Sequence, residues 1–323
     1  MINLEEITNR IINDGYQVTE SEALELLRWP DANALYAAAD KVRAALCGDF
    51  FDTCSIINAR SGRCSEDCKW CSQSHKHHTG INEYPLIGVD EAMQLAKRND
   101  KAGVHRYSLV TSGRTMTDSQ IDKAADIYKA LGKETKLFLC ASMGLLTKPQ
   151  LQKLYDAGVR RYHCNIESAP SYFPKLCTTH TTAEKVQTIK WAREVGMEVC
   201  SGGIIGMGES EEQRVEMACY LREIGVDSIP MNVLMPIKGT ALENQPPLEE
   251  EEILRSAAMF RLVNPKANIR MAGGRASYWG KSETALKCGM NSSIVGDMLT
   301  TTGAKSIEED MEKITDAGYK TTI

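Results

Sequence analysis

The sequence predicts an α/β fold, a closed (β/α)8 barrel of the TIM type behind an N-terminal helical extension. Three observations carry that expectation. From residue 54 onward, eight short apolar runs alternate with eight amphipathic segments, the pattern of a parallel sheet with crossover helices. Eight strands is also the number that closes such a sheet on itself, whereas an open doubly wound sheet, the alternative, stops at roughly five to seven. No low-complexity segment and no Pro/Gly/Ser linker breaks the run, so the expected division is a helical extension over 1–50 and one barrel over 51–323.

Thr19 and Glu22 have the spacing of a capping box before SEALELLRW, and ANALYAAADKVRAALCG continues in helical period to a glycine stop. Strands are expected at 54–59, 104–111, 136–142, 160–167, 197–204, 228–234, 267–272 and 292–296. The helix after each is expected at 89–102, 118–131, 147–157, 182–195, 210–224, 248–263, 279–288 and 306–316. Several of these open after Thr, Ser or Asp and close on Gly. In such a barrel the chemistry gathers at the C-terminal ends of the strands, where the long segment after the first strand falls.

The chain has 323 residues, 42% hydrophobic and 25% charged, the profile of a globular protein. A net charge of −5 leaves no basic footprint for nucleic acid or an anionic membrane. The opening residues lack a signal-peptide core, and no run reaches the roughly 18 apolar residues of a spanning helix. The expectation is a cytoplasmic protein that engages neither nucleic acid nor membrane. In a reducing compartment, eleven scattered cysteines do not form a disulfide framework. Cys47, Cys219 and Cys288, on predicted helices, read as small buried apolar residues.

Cys64, Cys68 and Cys71 stand apart, in the stretch CSEDCKWC with C-x3-C-x2-C spacing. A redox pair would use Cys68 and Cys71 alone and leave Cys64 and the INARSGRC loop without a role. A structural zinc ion needs a fourth ligand, from His75, His77 or His78. An iron–sulfur cluster held by three thiolates keeps one iron open for a substrate.

That spacing resembles the signature of the radical S-adenosylmethionine enzymes. The resemblance implies a [4Fe-4S] cluster on Cys64, Cys68 and Cys71, with S-adenosylmethionine on its open iron and Trp70 at the family's aromatic position. One electron then cleaves the sulfonium and releases a 5′-deoxyadenosyl radical, which takes hydrogen from an unactivated carbon. Longer blocks, CSIINARSGRCSEDCKWCSQS, VCSGGIIGMGES, MNVLMPIKGT and LTTTG, are similar to the biotin synthase family in collinear order from about residue 15 to 320. That family inserts sulfur between two saturated carbons of dethiobiotin. The likeness implies dethiobiotin and S-adenosylmethionine as small-molecule partners, a flavodoxin- or ferredoxin-type electron donor, and a homodimer.

The strand assignments also put Cys140 on the third strand, Cys200 on the fifth and Arg270 on the seventh, alternate strands that fill one layer of a barrel. Buried cysteines in a packed interior are one reading. Arg270 weakens it, because a guanidinium in a barrel strand needs an anionic partner, such as thiolates or a sulfide-rich cluster. The resemblance implies that Cys140, Cys200 and Arg270 ligate an auxiliary iron–sulfur cluster that donates the sulfur. The family has a further cysteine on the second strand where this chain has Ser108, a poorer iron ligand. The auxiliary site is then serine-ligated, ligated by a substitute, or a different cluster: a [2Fe-2S], or a larger four-iron cluster with extra sulfide. Cys164 is the nearest substitute, but strand alternation turns Asn165 and Glu167 to the site instead, unless a bulge intervenes.

The resemblance assigns other positions in turn. Asn165 and Glu167 match residues that contact S-adenosylmethionine and dethiobiotin, and His163 replaces an asparagine beside the substrate. Asn232 matches an asparagine on the ureido group, Ile204 and Met235 fall in the cofactor pocket, and Thr111 opens a TSG whose backbone faces the methionine amine. Lys185 stands where the family has an arginine near the methionine carboxylate, or else lies on a solvated helix face. Two other functions stay in view: another radical enzyme on this barrel, of the hydrogenase-maturation or methylornithine type, and a non-catalytic iron–sulfur carrier.

Overall fold

A computed structural model of the chain describes residues 2–278, 283–296 and 306–321. Three helices lead: α1 (Leu4–Asp14), α2 (Glu20–Leu27) and α3 (Ala32–Cys47). The capping box forms at α2, where the Glu22 carboxylate accepts from the Thr19 N–H at 2.9 Å and the Thr19 hydroxyl accepts from the Glu22 N–H at 3.3 Å. α3 stops at Gly48, whose φ of 70° a side chain would strain.

Among the described residues nine strands follow: β1 (Asp52–Arg60), β2 (Arg106–Thr111), β3 (Phe138–Ser142), β4 (Arg161–His163), β5 (Glu198–Cys200), β6 (Gly203–Ile205), β7 (Ser228–Val233), β8 (Asn268–Met271) and β9 (Ser292–Ile294). They are parallel, in the order β5-β4-β3-β2-β1-β9-β8-β7-β6, and β5 also pairs with β7, so the sheet closes into a barrel. All eight expected strands are present, the fifth split into β5 and β6. The break falls where Gly202 passes so near the Pro230 carbonyl that a Cβ has no room. The fourth is shorter than expected, ending at His163 before a turn that holds Glu167 at φ 71°.

Around the barrel run α4 (Val89–Lys101), α5 (Asp118–Glu134), α6 (Lys148–Asp156), the single turn α7 (Phe173–Leu176), α8 (Thr182–Glu194), α9 (Glu211–Glu223), α10 (Glu250–Val263) and α11 (Ile307–Asp316). α3 packs on α10, and α2 lies against α9 and α10. Seven of the eight expected crossover helices are found. The expected helix at 279–288 is not: 279–282 lie outside the described residues, and Glu283–Leu286 form a 3-10 turn. Gly289, at φ 92°, takes the chain out of the helical region directly after this segment. The LTTTG block also lies largely outside the described residues. Among the described residues, no helix is long and apolar enough to cross a membrane.

Outward positions such as Tyr107, Leu109, Ala141, Tyr162 and Ile269 join the hydrophobic core between strands and helices. Inward positions form layers, and the pairing register identifies each. Cys54 pairs with Arg106 and Arg106 with Phe138, and two residues along β3 is Cys140. Cys140 leads likewise through Arg161 and Glu198 to Cys200, and Cys200 through Ser228 and Asn268 to Arg270. From Arg270 the path through Ser292 and Asp52 returns to Cys54. The circuit closes with a stagger of about eight residues, the shear of a TIM barrel. The same walk from Ser108 gives the next layer toward the strand ends: Ser108, His163, Pro230 and Ile294.

Candidate active site

A cavity of about 400 Å³ opens at the C-terminal ends of the strands. The β1–α4 loop lines it with Cys64, Cys68, Cys71 and Trp70, and β2 adds Thr111 at its end. His163, Asn165 and Glu167 enter from β4 and the segment after it, Ile204 from β6, Asn232 and Met235 from β7 and beyond, and Lys185 from α8. Ser108, Cys140, Cys200 and Arg270 do not line the cavity. They lie deeper in the barrel, each less than a tenth exposed.

The cysteine loop is tied by its own backbone. The Cys64 N–H donates to the Gln73 carbonyl at 3.0 Å, and the Cys71 N–H to the Cys68 carbonyl at 3.0 Å. His75 and His77 turn Nδ1 to the carbonyls of Cys64 and Cys71, at 2.7 and 2.8 Å, so both rings brace the loop. A zinc ion at about 2.3 Å from tetrahedral thiolates requires sulfurs roughly 3.8 Å apart. Among the described residues, only Cys68, Cys177 and His180 bring ligand atoms within 4.8 Å of one another, and that group omits Cys64 and Cys71. Burial lifts the Cys64 thiol, and lifts that of Cys71 to about 11.

Opposite the loop, the polar side chains are partly committed. Asn165 Oδ1 accepts from the Gly202 N–H at 2.9 Å, and its Nδ2 donates to Glu167 at 3.3 Å. Asn232 Nδ2 donates to the Gly203 carbonyl at 3.0 Å, and its Oδ1 accepts from the Gly273 N–H at 2.8 Å. Each amide keeps one N–H and one lone pair to spare. Glu167 is one of two non-glycine residues with positive φ among the described residues, a strain typical of functional positions. Lys185 is buried rather than solvated, its Nζ 5.6 Å from the centre of the Phe173 ring. Burial opposes its charge, but Glu167 and the neighbouring thiols Cys164, Cys68 and Cys177 hold its pKa above the ordinary value. Trp70 packs beside Leu176, Met207 and Leu234.

Below the cavity the interior is crowded with charge. Arg270 does have an anionic partner, but it is Asp52, at 2.8 Å, rather than a thiolate. Arg270 also donates to the carbonyls of Asp52 and Ser293, both at 3.1 Å. Asp52 further accepts from Arg106 at 3.0 Å, Arg161 at 2.9 Å and His105 at 2.8 Å. Burial works against the Asp52 charge, yet Arg270, His105 and Arg161 keep its pKa well below the usual carboxylate range. The neighbouring Cys140 and burial raise the pKa of the Cys54 thiol, while Cys54, Arg106 and Arg161 lower that of Cys140. His163 joins the two levels: its ring lines the cavity, and its Nδ1 lies 3.4 Å from Cys200 Sγ. Burial depresses its pKa to about 4, so the ring is neutral.

Cys164 belongs to the hydrophobic core with Cys219 and Cys288, as alternation required. Cys288 is buried without lying on a helix, and Cys47 is only half-buried, in contact with Arg261 at 3.3 Å. No motif in the sequence singles out Cys54, Asp52, Cys177 or His180. Cys54 and Asp52 share the inward phase of Asn58 on β1, a signal visible once that strand is placed. Cys177, 3.7 Å from Cys68 Sγ and 3.3 Å from His180 Nδ1, sits after α7 in a stretch with no periodic pattern.

A sequence model of the radical SAM superfamily matches residues 59–221, and one of the Biotin and Thiamin Synthesis associated domain matches 230–320. The first defines the class, a radical S-adenosylmethionine enzyme on a (β/α)8 barrel. Methylornithine synthase has the same fold, with a TM-score of 0.83 at 20% identity over 97% of this chain and 96% of that one. The biotin synthase of Parabacteroides distasonis is 50% identical over 99% of this chain and 98% of its own. That of Porphyromonas gingivalis is 49% identical over 99% and 96%. The chain belongs to the biotin synthase family.

Proposed function

We propose that the chain converts dethiobiotin to biotin, with S-adenosylmethionine as radical source and a second, deeper iron–sulfur site as sulfur donor. The observation that carries this reading is the stacking of two cysteine groups along one barrel axis: the motif loop around the cavity, and the thiol layer beneath it, with His163 between. The loop fits a [4Fe-4S] cluster on Cys64, Cys68 and Cys71, because three thiols that do not converge on one ion suit three separate irons. When bound, that cluster supplies the electron that splits S-adenosylmethionine, and the resulting radical removes hydrogen from dethiobiotin.

The chain's own residues hold the reactants. Trp70, Thr111, Ile204 and Met235 wall the cofactor, and Lys185 offers a buried cation to its carboxylate. Asn165 and Asn232 present their spare donors and acceptors to the ureido ring, with Glu167 and neutral His163 beside them. Cys140, Cys200 and Arg270 would hold the auxiliary cluster. The barrel wall excludes water from the radical, the protein's usual part in such chemistry.

The same reading places the enzyme in the cytoplasm, as a homodimer served by a flavodoxin- or ferredoxin-type donor, with the N-terminal helices as an extension of one barrel domain. It is tested by anaerobic reconstitution with dethiobiotin, S-adenosylmethionine and a reductant, followed by mass spectrometry. Biotin and 5′-deoxyadenosine are expected together. 5′-Deoxyadenosine without biotin would point to a different radical reaction, and neither product to a carrier.

A further inference from the structure

We infer that Cys54, on the first barrel strand, is the third thiolate ligand of the auxiliary iron–sulfur cluster, in the place that Ser108 leaves without a thiol. This rests on the auxiliary site proposed above.

The register carries the argument. Cys54, Cys140, Cys200 and Arg270 are the four inward residues of one layer, contributed by the first, third, fifth and seventh strand positions. Ser108 lies on an intervening strand, one layer nearer the cavity. Within the layer, Cys54 and Cys140 come from β1 and β3, separated by β2 alone. Cys54 is 8% exposed yet does not join the hydrophobic core that absorbs Cys164, Cys219 and Cys288, so apolar packing does not account for it.

Chemistry and charge agree with the register. A thiolate is a softer, more readily deprotonated iron ligand than a serine hydroxyl. The interior around Cys54 holds the guanidiniums of Arg106, Arg161 and Arg270 against the fully buried carboxylate of Asp52 and the half-exposed one of Glu198. Arg106, the register partner of Cys54 on β2, is 7% exposed and its Nη1 has no hydrogen-bond partner. A buried donor without an acceptor is costly. An anionic cluster on three thiolates supplies both the missing acceptor and the missing negative charge.

The test is iron and sulfide counting with Mössbauer spectroscopy on anaerobically reconstituted Cys54→Ala, Ser108→Ala and Cys140→Ala. Cys54→Ala is expected to fall to about four irons per chain, those of a single [4Fe-4S] cluster, and still to release 5′-deoxyadenosine. Ser108→Ala is expected to keep the iron content of the unaltered protein. A full complement of iron in Cys54→Ala, with the auxiliary doublet unchanged, overturns the assignment if Cys140→Ala has lost that doublet. If Cys140→Ala keeps it as well, the auxiliary site itself falls. Cys54→Ser keeps the size and the donor of the side chain and so guards against misfolding. With an unchanged far-ultraviolet circular dichroism spectrum, it is expected to lose or shift the auxiliary doublet, and an unshifted doublet counts against Cys54.

Discussion

The two cysteine groups of this barrel are assembled in opposite ways. Cys64, Cys68 and Cys71 lie within eight residues on one loop, braced by that loop's own carbonyls and by His75 and His77. Cys54, Cys140, Cys200 and Arg270 come from four strands and meet only because the sheet closes. The upper group needs local chain geometry, while the lower one needs the whole fold. Their surroundings differ too. The upper group borders an open cavity with spare hydrogen-bonding capacity, whereas the lower is sealed beside three buried arginines that share one buried carboxylate.

If that separation holds, the upper group can be disabled without disturbing the lower. Replacing Cys64, Cys68 or Cys71 by Ala should abolish cleavage of S-adenosylmethionine, the largest effect expected anywhere in the molecule, while the auxiliary irons remain. Quantifying 5′-deoxyadenosine by mass spectrometry alongside iron content checks both halves. Full 5′-deoxyadenosine production from any one variant would sink the radical-cluster assignment, and loss of all iron would show that the two levels are one assembly.

The same contrast explains what the sequence made legible. The motif loop was readable because its chemistry sits in contiguous residues, and the eight strand positions because each carries its own apolar run. A guanidinium on a barrel strand calls for an anion, but the partner of Arg270, Asp52, lies more than two hundred residues away in the chain. Cys54 was hidden for a related reason. Strand alternation gives the face of a residue, but its layer depends on the register of every strand between. For Lys185 the sequence leaves two readings, a cation at the cofactor's carboxylate or a solvated helix face, and its burial beside Phe173 removes the second. The 3-10 turn at Glu283–Leu286 is the reverse case, a helical pattern too short to persist without tertiary support.

A stability test sharpens the difference further. Asp52 is 1% exposed and serves Arg106, Arg161 and Arg270 together, so Asp52→Asn strands buried cations. The expected loss is about 3–5 kcal/mol, read as a lower urea midpoint of the anaerobic protein. The loss should be smaller when the protein carries its full iron complement, because an anionic cluster then offsets part of the positive charge. An unchanged midpoint would mean that Glu198 and the backbone carbonyls hold the arginines unaided.

The smallest effects belong to the cavity wall, where single hydrogen bonds are at stake. Asn165→Ala and Asn232→Ala each remove one spare donor and one spare acceptor from the proposed ureido pocket. Losing one buried partner costs about 1–3 kcal/mol, or about 5- to 150-fold in the dissociation constant of dethiobiotin by calorimetry with S-adenosylmethionine present. Truncation also strands a backbone group, since Asn165 serves Gly202 and Asn232 serves Gly273. Asn232→Asp separates the two contributions. It keeps an oxygen for the Gly273 N–H but removes the amide that supplies both the Gly203 carbonyl and the spare donor, so it should bind dethiobiotin as weakly as Asn232→Ala. The absorbance of the radical cluster should be the same in all three variants, because the hydrogen bonds of both side chains go to Glu167, Gly202, Gly203 and Gly273 and not to the cysteine loop. If Asn232→Asp binds as tightly as the unaltered protein, the amide donor has no role toward the substrate and Asn232 serves the backbone alone.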